Sequence, residues 1–149
     1  MANKTLSLIE SLGSRGEKHL AANIQTDEKI LAKLRGAQGQ GLVLTDRHIY
    51  IVKWGYMTGN TFGGRCSAFD YSKVVGLEIK TNLLTGVFEV LTAATRDAHL
   101  GTWSHQQNGA FKSNYGVSFG RIKFAPFQQA TVLGRGFIEQ QTHRDAPSP

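Results

Sequence analysis

The sequence predicts an α+β fold, mainly β, in which about seven antiparallel strands form a barrel of two near-orthogonal sheets. Short apolar runs with a two-residue alternation recur between residues 26 and 124, and turn residues separate them. Apolar residues at three- and four-residue spacing follow Pro126, which predicts a C-terminal helix that caps the barrel. We expect a helical N-terminal extension over residues 1–25, the β domain over residues 26–142 and a flexible tail over residues 143–149.

The N-terminal extension is expected to hold two short helices. The first covers residues 5–12 and ends at Gly13, which favours the left-handed conformation that closes helices. Ser14 and Glu17 have the spacing of a capping box, so they predict the start of a second helix that runs to about Ile24. These helices are expected to plug one edge or mouth of the β domain. The alternative is an arm that binds a partner or a membrane surface.

Residues 39–55 are predicted to form a β-hairpin around which the domain is organised. Two apolar runs flank the turn at residues 45–48, and both are rich in β-branched or aromatic residues. Asp46 is a favourable turn residue because its short carboxylate accepts local backbone N–H bonds. Since both runs are almost continuously apolar, both faces of this hairpin are expected to be covered. A first strand at residues 30–35 precedes it.

Four further strands are expected at residues 65–71, 75–79, 87–94 and 117–124. The alternation in the fifth strand predicts buried side chains at Val75, Leu77 and Ile79. A β-bulge at Gly120 would keep Ile122 on the core side of the seventh strand. Residues 95–116 lack periodicity, and we expect either an extra hairpin or a mobile loop there.

Length and charge favour one domain without a dedicated nucleic-acid surface. At 149 residues the chain can bury a real core. The net charge of +6 is spread thinly, without a run of consecutive basic residues. No apolar run approaches the roughly 18 residues that span a bilayer, and the N-terminus does not resemble a signal peptide. A cytoplasmic location is therefore expected.

The residues do not suggest an enzyme, a metal site or a cofactor. The five histidines lack the spacing of metal ligands, and Cys66, the single cysteine, is expected to be structural and buried. No nucleophile elbow occurs. Asp27 and Glu28 are expected to cap the first strand or face water. The glycines at 134 and 136 predict a close approach between the C-terminal helix and the sheet.

The order of these segments resembles the bacterial pleckstrin-homology-like (PH-like) domain family. The segments that carry the resemblance are EKI at 28–30, GLVLTDRHIYIV at 41–52, FDYSKVVGL at 69–77 and TGVFEV at 85–90. The LTDR turn followed by an apolar strand is the most characteristic of them. The strand and helix at residues 117–141 supply the expected ending, so the resemblance covers residues 26–142.

The resemblance implies that the loops after the first, third and sixth strands meet at one open end. The candidate binding residues would then lie together as Arg35, Trp54, Tyr56, Arg65 and Trp103, with Arg96, His99 and Lys112 nearby. The implied function is a non-enzymatic binding or assembly module that contacts a protein partner, or an anionic membrane surface, and that self-associates in some members. The alternative is a binder of nucleic acid or a small anionic nucleotide, because arginines and aromatic rings bind phosphates and stack on bases.

Overall fold

The computed structural model of the chain describes residues 8–55, 63–93 and 115–145. One helix precedes seven strands and a second helix follows them. The elements are α1 (Gly13–Ala21), β1 (Ile30–Arg35), β2 (Gln40–Thr45), β3 (His48–Trp54), β4 (Gly64–Asp70), β5 (Val74–Thr81), β6 (Thr85–Thr92), β7 (Gly116–Gly120) and α2 (Phe124–Asp145). Single turns of 3-10 helix at Tyr71–Lys73 and Arg121–Lys123 precede β5 and α2. The expected extra hairpin or mobile loop at residues 95–116 lies almost wholly outside the described residues.

The strands form two antiparallel sheets, of order β1-β2-β3-β4 and β5-β6-β7. The predicted α+β class and C-terminal helix are therefore confirmed, and the described residues contain seven strands, in agreement with the prediction of about seven. Between the described strands no ladder joins the two sheets. They meet at the β1–β2 connection, where the backbone N of Ala37 donates to the carbonyl of Ser118 at 2.8 Å. The approach is close: a Cβ on Gly36 would lie 2.5 Å from that same carbonyl oxygen.

The predicted hairpin is confirmed, and its turn consists of Asp46 and Arg47. The hydroxyl of Thr45 accepts hydrogen bonds from the backbone N of Arg47 at 3.1 Å and of His48 at 2.9 Å. Asp46 has a different role from the predicted one, because its carboxylate accepts from the backbone N of Lys29 at 3.0 Å. Asp46 therefore ties the turn to the segment that precedes β1.

The β2–β3 hairpin is the middle layer of the molecule, as predicted from its apolar character. One face belongs to the inner core, which lies between the sheets and α2 and includes Leu42, Leu44, Ile49, Ile51, Phe88, Phe119 and Phe127. The other face belongs to the outer core, formed with α1 by Leu12, Leu20, Val43, Tyr50, Val52 and Trp54. Burying one such side chain contributes about 1.5–3 kcal/mol. Helix α1 packs on the outer face of this sheet, against β3 and the edge strand β4.

The N-terminal segment departs from the predicted helix. Residues 8–12 are not helical, because the carbonyl of Leu8 and the N–H of Glu10 bond to the backbone of Lys33 at 2.6 and 2.7 Å. Gly13 has φ +84° and opens α1 instead of closing an earlier helix. The Ser14 capping box does not form. The first N–H groups bond instead to Ser11 and Glu17 side chains, at 3.1 and 3.2 Å.

Two predictions about alternation are wrong, one because of a bulge and the other because its strand ends early. A bulge between Val74 and Gly76 turns Val75 outward, where it is 58% exposed. β7 ends at Gly120 without the predicted bulge, and the 3-10 turn that follows leaves Ile122 89% exposed. Leu77 is buried, as predicted.

Helix α2 packs on the inner core through stacked rings and small residues. Phe127 stacks on Phe119 with centroids 4.1 Å apart, and Phe137 stacks on Tyr71 at 5.2 Å. A Cβ on Gly134 would lie 2.6 Å from Leu77 Cδ1, so the predicted close helix-to-sheet approach is confirmed there. In the described residues, neither helix has the length and apolarity that a bilayer crossing requires.

Candidate functional site

Three of the five candidate binding residues lie at one end of the four-stranded sheet. Arg35 is the last residue of β1, Trp54 the last of β3 and Arg65 the second of β4, and the strand register aligns these ends side by side. We call this the loop end of the sheet, since it carries the connections after β1 and β3. Tyr56 and Trp103, together with Arg96, His99 and Lys112, lie outside the described residues.

Arg35 and Trp54 form a cation–π pair on the outer face. The guanidinium carbon of Arg35 lies 6.0 Å from the Trp54 ring centroid, and Arg35 itself is exposed. Trp54 is only 7% exposed, and its ring reaches Gly16 of α1, where a Cβ would lie 3.0 Å away. The ring therefore belongs to the outer core and supports Arg35 from below.

Arg65 lies on the opposite face of the sheet. It pairs directly with Lys53 on β3, and directly paired residues of neighbouring strands point to the same side. Lys53 is two residues from Ile51 of the inner core, so both cations are on the inner face. The sheet thus brings Arg35 and Trp54 together and separates Arg65 from them.

A buried polar cluster lies beneath Arg65. Lys53 is 2% exposed, and its ammonium donates to the side-chain oxygen of Gln40 at 2.9 Å. The same oxygen accepts from the backbone N of Ser118 at 3.1 Å, while the Gln40 amide donates to Ala37 at 3.0 Å. Burial, and secondarily the facing charge of Arg65, lowers the pKa of Lys53 to about 8. Gln40 therefore joins the two sheets, and it also holds a buried ammonium that is costly to keep charged.

Lys53 and Gln40 were not predicted from the sequence as members of a site. The available signal was alternation, because Lys53 continues the series Ile49, Ile51 and Gln40 continues the series Leu44, Leu42. Polar residues at core positions are informative because burial requires partners for them.

A second buried polar cluster lies at the other end of the hairpin, around Glu28. Its side chain is fully buried, contrary to the expectation that it faces water. The hydroxyls of Thr45 and Tyr50 each donate to the carboxylate at 2.5 Å, and the backbone N of Gln25 donates at 3.2 Å. Burial alone would raise the pKa of Glu28, but these hydrogen bonds outweigh it and lower the pKa below the usual value.

His48 connects this cluster to the surface. Its Nδ1 lies 3.2 Å from the Glu28 carboxylate, which suits an ion pair when the imidazole is protonated, although the nitrogen is not aligned as a hydrogen-bond donor. A polar depression of about 730 Å³ adjoins it, lined by Asp46, Arg47, His48, Asp70, Ser72, Phe137 and Gln141.

The charged groups of this depression are already engaged with protein partners. Arg47 pairs with Asp27 at 2.9 Å. The carboxylate of Asp70 accepts from the backbone N and hydroxyl of Ser72, and these bonds lower its pKa. The depression is lined by groups of both charge signs, so it does not select a ligand of either charge. Across the described ranges, no group of three His, Cys, Asp or Glu side chains is placed to hold a metal ion.

Cys66 lies in the outer core on β4, partly buried beside Tyr50 and Val52. Burial raises the pKa of its thiol to about 11, so the sulfur is a thiol at neutral pH and a poor nucleophile. This agrees with the structural role expected from the sequence.

Comparison with known proteins does not identify a family for this chain. No protein-family model matches the chain, and no curated protein or solved structure shows significant similarity to it. The PH-like family therefore stays a prediction from the sequence.

Proposed function

We propose that the chain is a non-enzymatic, PH-like binding or assembly module that contacts a protein partner through the loop end of its four-stranded sheet. The observation that carries the proposal is the exposed Arg35 guanidinium held over the buried Trp54 ring. Arginines and tryptophans dominate the energetics of protein interfaces, and an anchor on a rigid strand end loses little entropy on binding.

The proposal includes a PH-like barrel in which the two sheets pack nearly at right angles and α2 closes one corner. The hydrogen bond between Ala37 and Ser118 supports it, since it brings the sheets together at one corner. The packing of α2 on Tyr71 and Phe119 supports closure of the barrel by the helix at another corner.

Charge reversal at the loop end tests this function. We expect the double variant Arg35→Glu, Arg65→Glu to lose partners that the wild type retains. The assay is quantitative affinity capture from native cells with the whole chain. The matched control is Lys73→Glu, which reverses an exposed cation beyond the other end of β4. If the double variant captures the same partners at the same yield as Lys73→Glu, the loop end is not the contact surface.

Self-association of the module would use the β4 edge. β4 pairs only with β3 among the described strands, whereas the exposed edge of β5 is occupied by Arg135, which donates to the Leu77 carbonyl at 2.9 Å. Size-exclusion chromatography with light scattering at micromolar protein tests this part. A strict monomer would remove it.

The second candidate is a binder of nucleic acid or an anionic nucleotide through Arg35 and Arg65. The +6 charge favours it. Base stacking needs an open ring face, and Trp54 offers little because it is 7% exposed. Fluorescence anisotropy with labelled oligonucleotides should show binding that weakens steeply with salt. The absence of binding at low salt would exclude this candidate.

A further inference from the structure

Three large apolar side chains project into solvent at one place on the three-stranded sheet. Leu83 and Leu84 form the β5–β6 turn and are 75% and 67% exposed, and Ile122 after β7 is 89% exposed. The backbone N of Arg121 donates to the Leu84 carbonyl at 3.0 Å, which places Ile122 next to the turn. We call Leu83, Leu84 and Ile122 the leucine tip.

The turn that carries the leucine tip is firmly built. The side-chain oxygen of Asn82 accepts from the backbone N of Leu84 at 3.0 Å and of Thr85 at 2.8 Å, and also from the Thr85 hydroxyl at 3.1 Å. Turns normally carry polar residues, so two adjacent leucines at the outermost positions of a fully bonded turn require an explanation other than folding.

Cations flank the leucine tip. Lys80 lies on β5 just before the turn, and Arg121 and Lys123 belong to the segment that presents Ile122. Among the described residues, two acids pair with these cations: Glu78 lies 3.8 Å from Lys80 on the surface, and Glu10 pairs with Lys123. Arg121 is exposed, so three cations face two acids, and the chain as a whole carries +6. This excess of positive charge favours an anionic partner.

The geometry points to a bilayer as that partner: we propose that the leucine tip inserts into the headgroup boundary of an anionic membrane while the exposed cations Arg121 and Lys80 contact lipid phosphates. A stable protein interface needs about 800 Å² from each partner, which three side chains on a narrow turn cannot supply. A peripheral membrane contact needs only a few inserted apolar side chains together with electrostatic attraction. This surface contains none of the residues of the loop end, so its failure and that of the proposed protein contact are distinguishable.

Sedimentation of the full-length protein with vesicles tests the proposal. The vesicles contain phosphatidylcholine alone or with phosphatidylserine at a ratio of about 7:3. We expect binding to the mixed vesicles, and we expect the triple variant Leu83→Ser, Leu84→Ser, Ile122→Ser to weaken it at least about 100-fold, because it removes all the inserted apolar surface. Arg121→Glu should weaken binding about 30-fold, because it changes two units of charge beside an anionic leaflet.

Matched controls separate insertion from a general loss of apolar surface. Val75→Ser and Val132→Ser remove apolar side chains that are 58% and 67% exposed elsewhere, and both should bind as the wild type does. Leu84→Phe keeps the apolar surface and should retain binding. The proposal is overturned if the wild type does not sediment with mixed vesicles, or if the triple variant binds as the wild type does. It is equally overturned if light scattering shows a dimer that the triple variant abolishes.

Discussion

Replacing Lys53 with methionine should change how the stability of the protein depends on pH. Burial and Arg65 lower the pKa of Lys53 from 10.5 to about 8. A shift of that size means that burying the charged Lys53 lowers the free energy of unfolding by about 3 kcal/mol at neutral pH, where the folded and unfolded chains both carry the proton. Methionine has similar length without the charge, and Gln40 keeps its hydrogen bond from Ser118. We therefore expect Lys53→Met to be at least as stable as the wild type at pH 7.

The direction of this pH dependence follows from the pH at which the folded and unfolded states each lose the Lys53 proton. Because the folded pKa is the lower one, the folded protein releases the proton near pH 8 while the unfolded chain keeps it to about pH 10.5. The cost of burying the ammonium therefore declines as the pH rises through this window. Relative to Lys53→Met, the wild type should gain about 1.4 kcal/mol in the free energy of unfolding between pH 7 and pH 9.

Urea unfolding followed by far-UV circular dichroism at both pH values measures the difference. Cys66, whose pKa is raised to about 11, and the buried tyrosines also affect stability at alkaline pH, but they are common to both proteins and cancel. Lys73→Met is the control, since it removes the same side chain from an exposed site. A difference between wild type and Lys53→Met that stays constant from pH 7 to pH 9 would refute the reasoning.

Three further predictions concern the packing and the buried acid and thiol. Gly136→Ala should raise the free energy of unfolding by about 0.5–1 kcal/mol, because nothing lies within 4 Å of its Cβ position. Gly134→Ala should lower it by about 1–3 kcal/mol, because its Cβ would lie 2.6 Å from buried Leu77; thermal melts that rank the two variants the other way would contradict the packing of α2. The pKa of Glu28 is lowered from 4.5, so its contribution is complete above that pH and declines as the pH falls through the folded pKa. Urea titrations at pH 6 and pH 3 should show a smaller acid-induced loss in Glu28→Gln than in the wild type, and equal losses would contradict the assignment. Cys66, with its pKa raised to about 11, should react with a thiol reagent at least about tenfold more slowly in the native protein than in urea; equal rates would show that it is accessible.

The elements that the sequence predicted well are those whose apolar pattern is continuous. The β2–β3 hairpin combines two apolar runs with a polar turn, and the α2 stripe runs from Phe127 past Ala130, so local pattern and tertiary packing agree. Residues 8–12 show the opposite case. Their spacing suits a helix, but two hydrogen bonds to Lys33 hold them along β1, and that partner is distant in sequence.

The candidate site was harder to predict because it depends on register. Arg35 precedes the β1–β2 loop and Arg65 follows the β3–β4 loop at the same end of the sheet. They lie on opposite faces, because Arg65 pairs with Lys53 on the inner face. A sequence without a known register cannot assign those faces, since a slip by one residue reverses them. Glu28 was expected to cap the first strand or face water, because its hydrogen-bond donors Thr45 and Tyr50 are 17 and 22 residues away in sequence.

The double coverage of the β2–β3 hairpin also determines which parts of the chain open together. The backbone of Val43 and Ile51 is paired with a strand on each side, and packed side chains cover both faces of the hairpin. Exchange at amides of these two strands should therefore require the strands to separate and both cores to open, which amounts to global unfolding. The leucines of the β5–β6 turn are exposed and belong to neither core, so this turn can open without disturbing either of them.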